Sequence, residues 1–289
     1  MKQRKRFMND LSKKSYKELA IPYFFEVFQI VDDVLSRLSI PYYLVGVNAI
    51  ALELLKTGIK PSRGTKDIDF AIMISSLTEF ENVVSNLEGK GFQKVKAPWT
   101  LFHPKYNAAI DLLPFGQIEE RDTIGFNERY TDLHVLGFKE VLRETEQVAI
   151  EERFTQIPTL HGIIILKLVS WSDRPEERDN DLKDILLIIK QYYSIAWEKI
   201  MDDHFDIIPE DGFDELMIAA RVLGRKAAQI LSQSKRLEGR IMDVLRKNSE
   251  NIRNTPIGEQ WARENDWTVE YAVRILKEFI KGILEVTKQ

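Results

Sequence analysis

The sequence predicts an α/β (α+β) protein: a domain with a mixed, twisted sheet, followed by an all-helical bundle. Three observations predict it. Up to about residue 155, short apolar runs such as PYYLVGV, DIDFAIMI and NAAIDLLPF alternate with segments of helical spacing. Beyond about residue 158, the patterned stretches all have helical spacing. The 289 residues are 44% hydrophobic and 30% charged, which suits a chain that buries a core. No internal repeat or low-complexity linker is visible. We therefore divide the chain into 1–155 and 156–289, with a ligand cleft expected between a first α/β domain and a helical domain that closes it.

The elements follow in order. Residues 1–14 are polar and basic. YKELAIPYFFEVFQIVDDVLSRLSI predicts a helix over about Tyr16–Leu38, broken near Pro22. PYYLVGV reads as a short strand ending at a glycine, and NAIALELLKTG as a helix closed by Gly58. IKPSRGTK is a cationic loop, and DIDFAIMI a second strand. SSLTEFENVVSNLEGKGF has a serine-led start and a Gly-Lys-Gly end, the signature of a helix. QKVKA, WTLFH and NAAIDLLPF are strands, with HPKYN as a hairpin turn. LHVLGFKEVLR begins as strand and ends as a short helix. The second half holds five helical stretches, beginning at TLHGIIILKLVSWSD, DNDLKDILLIIKQYY, FDELMIAARVLGRKAAQILS, RLEGRIMDVLRKN and TVEYAVRILKEFIKGILEVT.

Composition removes several function classes. There are no cysteines, so disulfides, thiolate chemistry and cysteine metal sites are excluded. The four histidines are widely spaced and suggest no zinc site. A net charge of -4 gives no global pull toward nucleic acid or membrane. No apolar run has the length of a membrane span. The basic MKQRKRFMND is followed by no apolar signal core, so a soluble cytoplasmic protein is expected.

The chemistry concentrates in RGTKDIDFAIMI. Aspartate is depleted in strands, yet Asp67 and Asp69 open this one. At i and i+2 they share a face, about 7 Å apart. Like charges so close repel, and a divalent cation compensates them directly. Magnesium takes carboxylate oxygens and keeps positions for water and phosphate. Asp111, in NAAIDLLPF, is a third acid embedded in an apolar strand. The bland alternative is a solvated strand end neutralised by Arg63 and Lys66. Upstream, YYLVGVNAIALELL is a strand, Gly46 and a helix, a turn whose free N–H groups suit a phosphate. Asn48 is placed to cap that helix and reach a phosphate oxygen.

This ordered set, strand–Gly–helix, then RGTKDIDF, then AIDLLPFG, resembles the polymerase-beta-like nucleotidyltransferase superfamily. Within it the chain is similar to bacterial nucleotidyltransferases related to abortive-infection toxins. The likeness continues through GIIILKLVSWSDRPEERDNDLKDILLII and AARVLGRKAAQIL, covering roughly residues 40–235. It implies transfer of a nucleoside monophosphate from an NTP to an acceptor hydroxyl, with Mg²⁺ as cofactor and pyrophosphate released. Asp67, Asp69 and Asp111 would ligate the metal, with Asp111 near the acceptor. Gly46 would be the phosphate-loop glycine. Lys167 would project toward the triphosphate, and Asp181, with Asp184, would match the group's later acids. The acceptor is not readable from the sequence: the resemblance allows a tRNA end, as in toxin-like relatives, or an antibiotic hydroxyl or a protein side chain, as in others of the superfamily, and it allows a cognate antitoxin protein as partner. Val47 stands where the family carries a second Gly or Ser.

Other readings of these residues stay open. Arg63, Thr65 and Lys66 could contact phosphates or merely neutralise the aspartates. Lys167 could snorkel from its apolar helix to the surface. KQRKR and KKSYK could hold RNA phosphate or form a solvated tail. The whole chain could be a non-catalytic nucleotide-binding or toxin–antitoxin interaction module, which Val47 favours and the retained acids disfavour.

Overall fold

The computed structural model describes residues 19, 21, 23–60, 65, 67–126 and 131–287. They fall into two compact units, Met1–Thr159 and Leu160–Gln289. Among the described residues, no helix is long and apolar enough to cross a membrane.

The first unit opens with α1 (Phe24–Arg37), the described part of the first predicted helix. Phe24, Val27, Phe28, Val31, Val34 and Leu35 recur at helical spacing and are all buried. Strand β1 (Tyr42–Leu44) leads into α2 (Gly46–Lys56), and β2 (Asp67–Ile74) into α3 (Leu77–Glu88). Ser76 caps α3 by accepting from the Glu79 N–H at 3.2 Å, while the Glu79 carboxylate reaches back to the Ser75 N–H at 2.6 Å. Next come β3 (Gln93–Lys94), β4 (Thr100–His103) and β5 (Ala108–Gly116). A separate ribbon of β6 (Thr123–Phe126) and β7 (Thr131–His134) precedes the short helix α4 (Phe138–Val141). The unit closes with the hairpin β8 (Thr145–Ile150) and β9 (Arg153–Pro158).

Seven strands form one mixed sheet in the order β3-β4-β5-β2-β1-β9-β8. The β2/β5 and β1/β9 pairs are parallel, and the others antiparallel. Alternation sorts the central strands by face. Ile68, Phe70, Ile72, Ile110 and Leu112 are fully buried on one side, where Phe28 of α1 stacks on Phe70. The other side carries half-buried Asp67, Asp69 and Asp111 and exposed Met73. Ala71 and Phe115 on this second face are fully buried, so it is covered in part and open only around the acids and Met73.

Three elements differ from the sequence expectation. The β8–β9 hairpin and β6 were not anticipated. Their strands are short and partly polar, and the β8–β9 turn is built on Glu151 at φ 54, with none of the usual glycine or asparagine. In the second unit the unanticipated element is the helix Pro256–Asn265. Its Thr-Pro start was a readable signal, because threonine caps and proline suits the first helical position.

The second unit is all helix. The helix α5 (Leu160–Asp173) is buried nearly all round. Then follow α6 (Asp179–Asp203), α7 (Glu215–Leu231), α8 (Lys235–Lys247), α9 (Pro256–Asn265) and α10 (Val269–Thr287). Asp214, Ser234 and Thr255 cap α7, α8 and α9 with side-chain oxygens. Helices α7 and α10 meet backbone to backbone. A Cβ on Gly224 would lie 2.1 Å from the Phe279 carbonyl oxygen, and one on Gly282 2.1 Å from that of Arg221.

Candidate active site

The site is built where β1 turns into α2. The Val45 N–H donates to the Asp69 carbonyl at 2.9 Å, tying the turn to β2. Gly46 follows at φ +66, a left-handed conformation that disfavours any side chain. A Cβ there would also lie 2.0 Å from Asp69 Oδ2. The glycine is therefore required twice, once by the backbone and once by the Asp69 carboxylate. That carboxylate lies against the first residue of α2, where the helix dipole favours negative charge.

Helix α2 begins at Gly46, not at Asn48, and its N-cap residue, Val45, makes no side-chain cap bond. Asn48 is thus not the cap that its position suggested. It is buried, and its Nδ2 donates to the Asp67 carbonyl at 3.1 Å. Its amide staples α2 to the strand that carries the acids.

The three acids share the open face of the sheet. Asp69 and Asp111 are register partners on the adjacent parallel strands β2 and β5. Their backbones are thus about 4.8 Å apart, and Asp67 lies about 7 Å further along β2. The row extends sideways. Thr100 of β4 is the antiparallel register partner of Asp111, and its Oγ1 donates to Asp111 Oδ1 at 2.5 Å. Thr65 accepts from the Asp67 N–H through its Oγ1 at 3.4 Å, so it supports the start of β2. Arg63, Lys66 and the KQRKR and KKSYK segments lie outside the described residues.

Thr100 was not identified from the sequence, although a signal existed. The hairpin turn at 104–107 sets His103 opposite Ala108, and counting back three pairs puts Thr100 opposite Asp111.

In kind, the donor set fits a hard divalent cation: carboxylate oxygens, half-buried, on an open face. It is not converged. Asp69 lies against Gly46 and Asp111 on Thr100, and among the described residues no group of three or more His, Asp or Glu side chains is arranged to hold an ion. Four residues beyond the acid pair, the register pair Met73 and Phe115 occupies the same face, about 13 Å along the strands. A cavity of about 710 Å³ opens there, lined by Tyr43, Met73, Phe115, Leu142, Lys139 and Arg143 among others. Lys139 is ion-paired to Glu119 at 2.9 Å.

In the helical unit, Lys167 does not snorkel. It is buried in α5 between Asp181 at 2.9 Å and Asp184 at 2.7 Å, both from α6. Burial works against its ammonium, but the two carboxylates outweigh burial and hold the pKa above the ordinary lysine value. Among the described residues, Asp181 Oδ2 is buried without a hydrogen-bond partner. The structure therefore groups Asp67, Asp69 and Asp111 in one unit and Lys167, Asp181 and Asp184 in the other.

No family model matches the sequence, and no curated protein matches it. Among solved structures, the chain is similar to the antibiotic-resistance factor ANT(2'')-Ia in solution, at 12% identity over 75% of this chain and 96% of that one, with a TM-score of 0.39. It is similar to an antigenic nucleotidyltransferase-like protein from Paracoccidioides brasiliensis, at 16% identity over 75% and 91% of the two chains, with a TM-score of 0.39. It is also similar to the Thermotoga maritima CCA-adding enzyme complexed with tRNA, at 16% identity over 95% and 68%, with a TM-score of 0.32. At overlaps this loose, neither a reaction nor an acceptor carries over to this chain.

Proposed function

We propose that this protein is a metal-dependent nucleotidyltransferase that moves a nucleoside monophosphate from an NTP to an acceptor hydroxyl and releases pyrophosphate. The observation that carries the reading is the acid row: Asp69 in register with Asp111, Asp67 on the same open face, and Gly46 opening a helix beside them. Acids in two adjacent central strands carry charge that must be compensated, and phosphoryl transfer on a divalent cation gives a reason for placing them there.

Asp67, Asp69 and Asp111 would hold Mg²⁺. When bound, the ion supplies neutralisation of the triphosphate charge and of the leaving pyrophosphate. The chain's own residues do the rest. The N–H groups opening α2 at Gly46 would orient a phosphate, with Thr65 beside the start of β2; Arg63 and Lys66 are assigned as phosphate contacts on their charge alone. Asn48 keeps Asp67 in place through the strand backbone. Asp111, hydrogen-bonded to Thr100, would stand near the acceptor and take the proton of its hydroxyl. The cavity over Met73 and Phe115 receives the acceptor beyond its reacting group. Lys167, Asp181 and Asp184 serve by ordering the helical unit. We place a tRNA end first among acceptors, with an antitoxin as regulatory partner and the cytoplasm as location.

The test is incubation with each α-labelled NTP, Mg²⁺ and total cellular RNA, beside Asp67→Ala/Asp69→Ala. Label in RNA that vanishes in the variant is the expected result. Equal labelling by the variant would overturn the reading. A second reading, a non-catalytic nucleotide-binding or interaction module, is favoured by Val47 and by the engagement of Asp69 and Asp111 with Gly46 and Thr100. Metal-dependent NTP binding with no transfer to any acceptor is its signature.

A further inference from the structure

We infer that the helical unit carries a docking surface for a basic polypeptide segment, formed by Tyr193, Trp197 and Phe213 within an acidic stretch of chain. The inference is independent of the nucleotide reading and lies wholly in the second unit. Three features carry it.

The first is a contiguous aromatic patch. Tyr193 and Trp197 are one turn apart on α6 and meet edge to face, with ring centres 5.3 Å apart. Phe213, in the segment between α6 and α7, packs its ring against the same tyrosine at 5.6 Å. Tyr193 is buried, while Trp197 is 45% and Phe213 53% exposed. Single exposed aromatics are ordinary. Rings from two elements that pack on one another and face solvent together mark an interaction site.

The second is charge. Residues 198–215 hold eight carboxylates and one lysine. Asp206 is paired with Arg225 at 2.8 Å, and Asp214 caps α7 and accepts from the Tyr271 hydroxyl at 2.9 Å. Glu198, Asp202, Asp203, Glu210, Asp211 and Glu215 are exposed. Burial, and then the charge of Glu215, hold the Tyr193 pKa above its ordinary value, so the acidic stretch reaches the rings.

The third is what this combination rejects. Rings that stack nucleic-acid bases lie in grooves lined with cations, whereas carboxylates repel phosphate. An anionic membrane surface is repelled for the same reason. A polypeptide segment with Lys or Arg set between apolar residues is complementary in both respects. Its apolar side chains would cover Trp197 and Phe213, its cations would meet the carboxylates, and an arginine over the Trp197 ring would add a cation–π contact. Tryptophan, tyrosine and arginine are the usual energetic centres of such contacts.

Fluorescence anisotropy of the full chain with two labelled peptides, at about 0.15 M salt, tests the inference. One peptide patterns arginine and leucine as an amphipathic helix. The other carries the same charge, with serine and glycine in place of leucine. The expected result is binding of the first peptide that is weakened at least about 10-fold in Trp197→Ser/Phe213→Ser and in Glu210→Gln/Asp211→Asn/Glu215→Gln. The second peptide should bind the unsubstituted protein at least about 10-fold more weakly than the first. Phe154→Ser, which removes an exposed ring from the first unit, should stay within about twofold of the unsubstituted protein. Circular dichroism melts establish that each variant is folded. No binding of the first peptide overturns the inference, as does binding that survives removal of the two rings. Equal binding of both peptides also overturns it, since charge alone would then suffice. Polyuridylate or phosphatidylserine vesicles bound by the unsubstituted protein and released by Trp197→Ser/Phe213→Ser would overturn it in favour of nucleic acid or a membrane.

Discussion

Replacing Gly46 by alanine should destabilise the first unit through two separable effects. The first is conformational. An L-residue held at φ +66 costs about 1–2 kcal/mol. The second is steric. The new Cβ would lie 2.0 Å from Asp69 Oδ2 and 2.9 Å from its Cγ, so the carboxylate must leave its place against α2. Overpacking of this kind costs about 1–3 kcal/mol, for a total of about 2–5 kcal/mol. The molecule contains its own control. Gly58 has φ +81, but a Cβ there meets nothing within 4 Å. Gly58→Ala should therefore show the conformational cost alone. The assay is urea unfolding of Gly46→Ala, Gly58→Ala, Asp69→Ala and Gly46→Ala/Asp69→Ala. The double variant should recover the steric share, a coupling of about 1–3 kcal/mol. Additivity of the two single substitutions, or equal costs at Gly46 and Gly58, would refute the contact between Gly46 and Asp69.

Lys167→Met should destabilise by about 3–5 kcal/mol, because it leaves Asp181 and Asp184 buried without their cation. Adding Asp181→Asn and Asp184→Asn should recover much of that loss in calorimetric melts. The folded Lys167 pKa is raised, so its stabilisation is complete below about pH 10.4 and lost as pH rises through the folded value. The stability gap between the unsubstituted protein and Lys167→Met should therefore narrow in alkali and stay constant between neutral pH and about pH 9. Gly224→Ala should cost about 1–3 kcal/mol or more, since its Cβ would meet the Phe279 carbonyl and backbone cannot yield as a side chain does; an unchanged denaturation midpoint would contradict the close α7–α10 crossing.

The acids were legible from the sequence because aspartate in an apolar strand is a local anomaly, visible without knowing the partners. Their relation was not. The β2/β5 pairing is parallel and joins residues more than forty positions apart, so no local pattern reports that Asp69 faces Asp111. Thr100 lay between these cases, since a four-residue hairpin transmits register from a visible turn. Asn48 misled because a polar residue near a helix start resembles a cap, whereas the left-handed Gly46 already lets the helix begin two residues earlier. For Lys167 the sequence left two readings, a site residue or an escape to solvent from IIILKLVSW; only the α5–α6 packing reveals the two aspartates that keep it inside and exclude the second. The β8–β9 hairpin was hidden because Glu151 adopts a positive φ that its residue type does not advertise.

The central claim is that the acid row is a metal-dependent nucleotide site, and calorimetric titration with a non-hydrolysable NTP analogue tests it most directly. Titrations would compare the unsubstituted protein, Asp69→Asn and Asp111→Asn, each with and without Mn²⁺. The account predicts Mn²⁺-dependent binding by the unsubstituted protein that is weakened at least about 10-fold in each variant. Binding that is independent of the metal, or that survives unchanged in both variants, would contradict it.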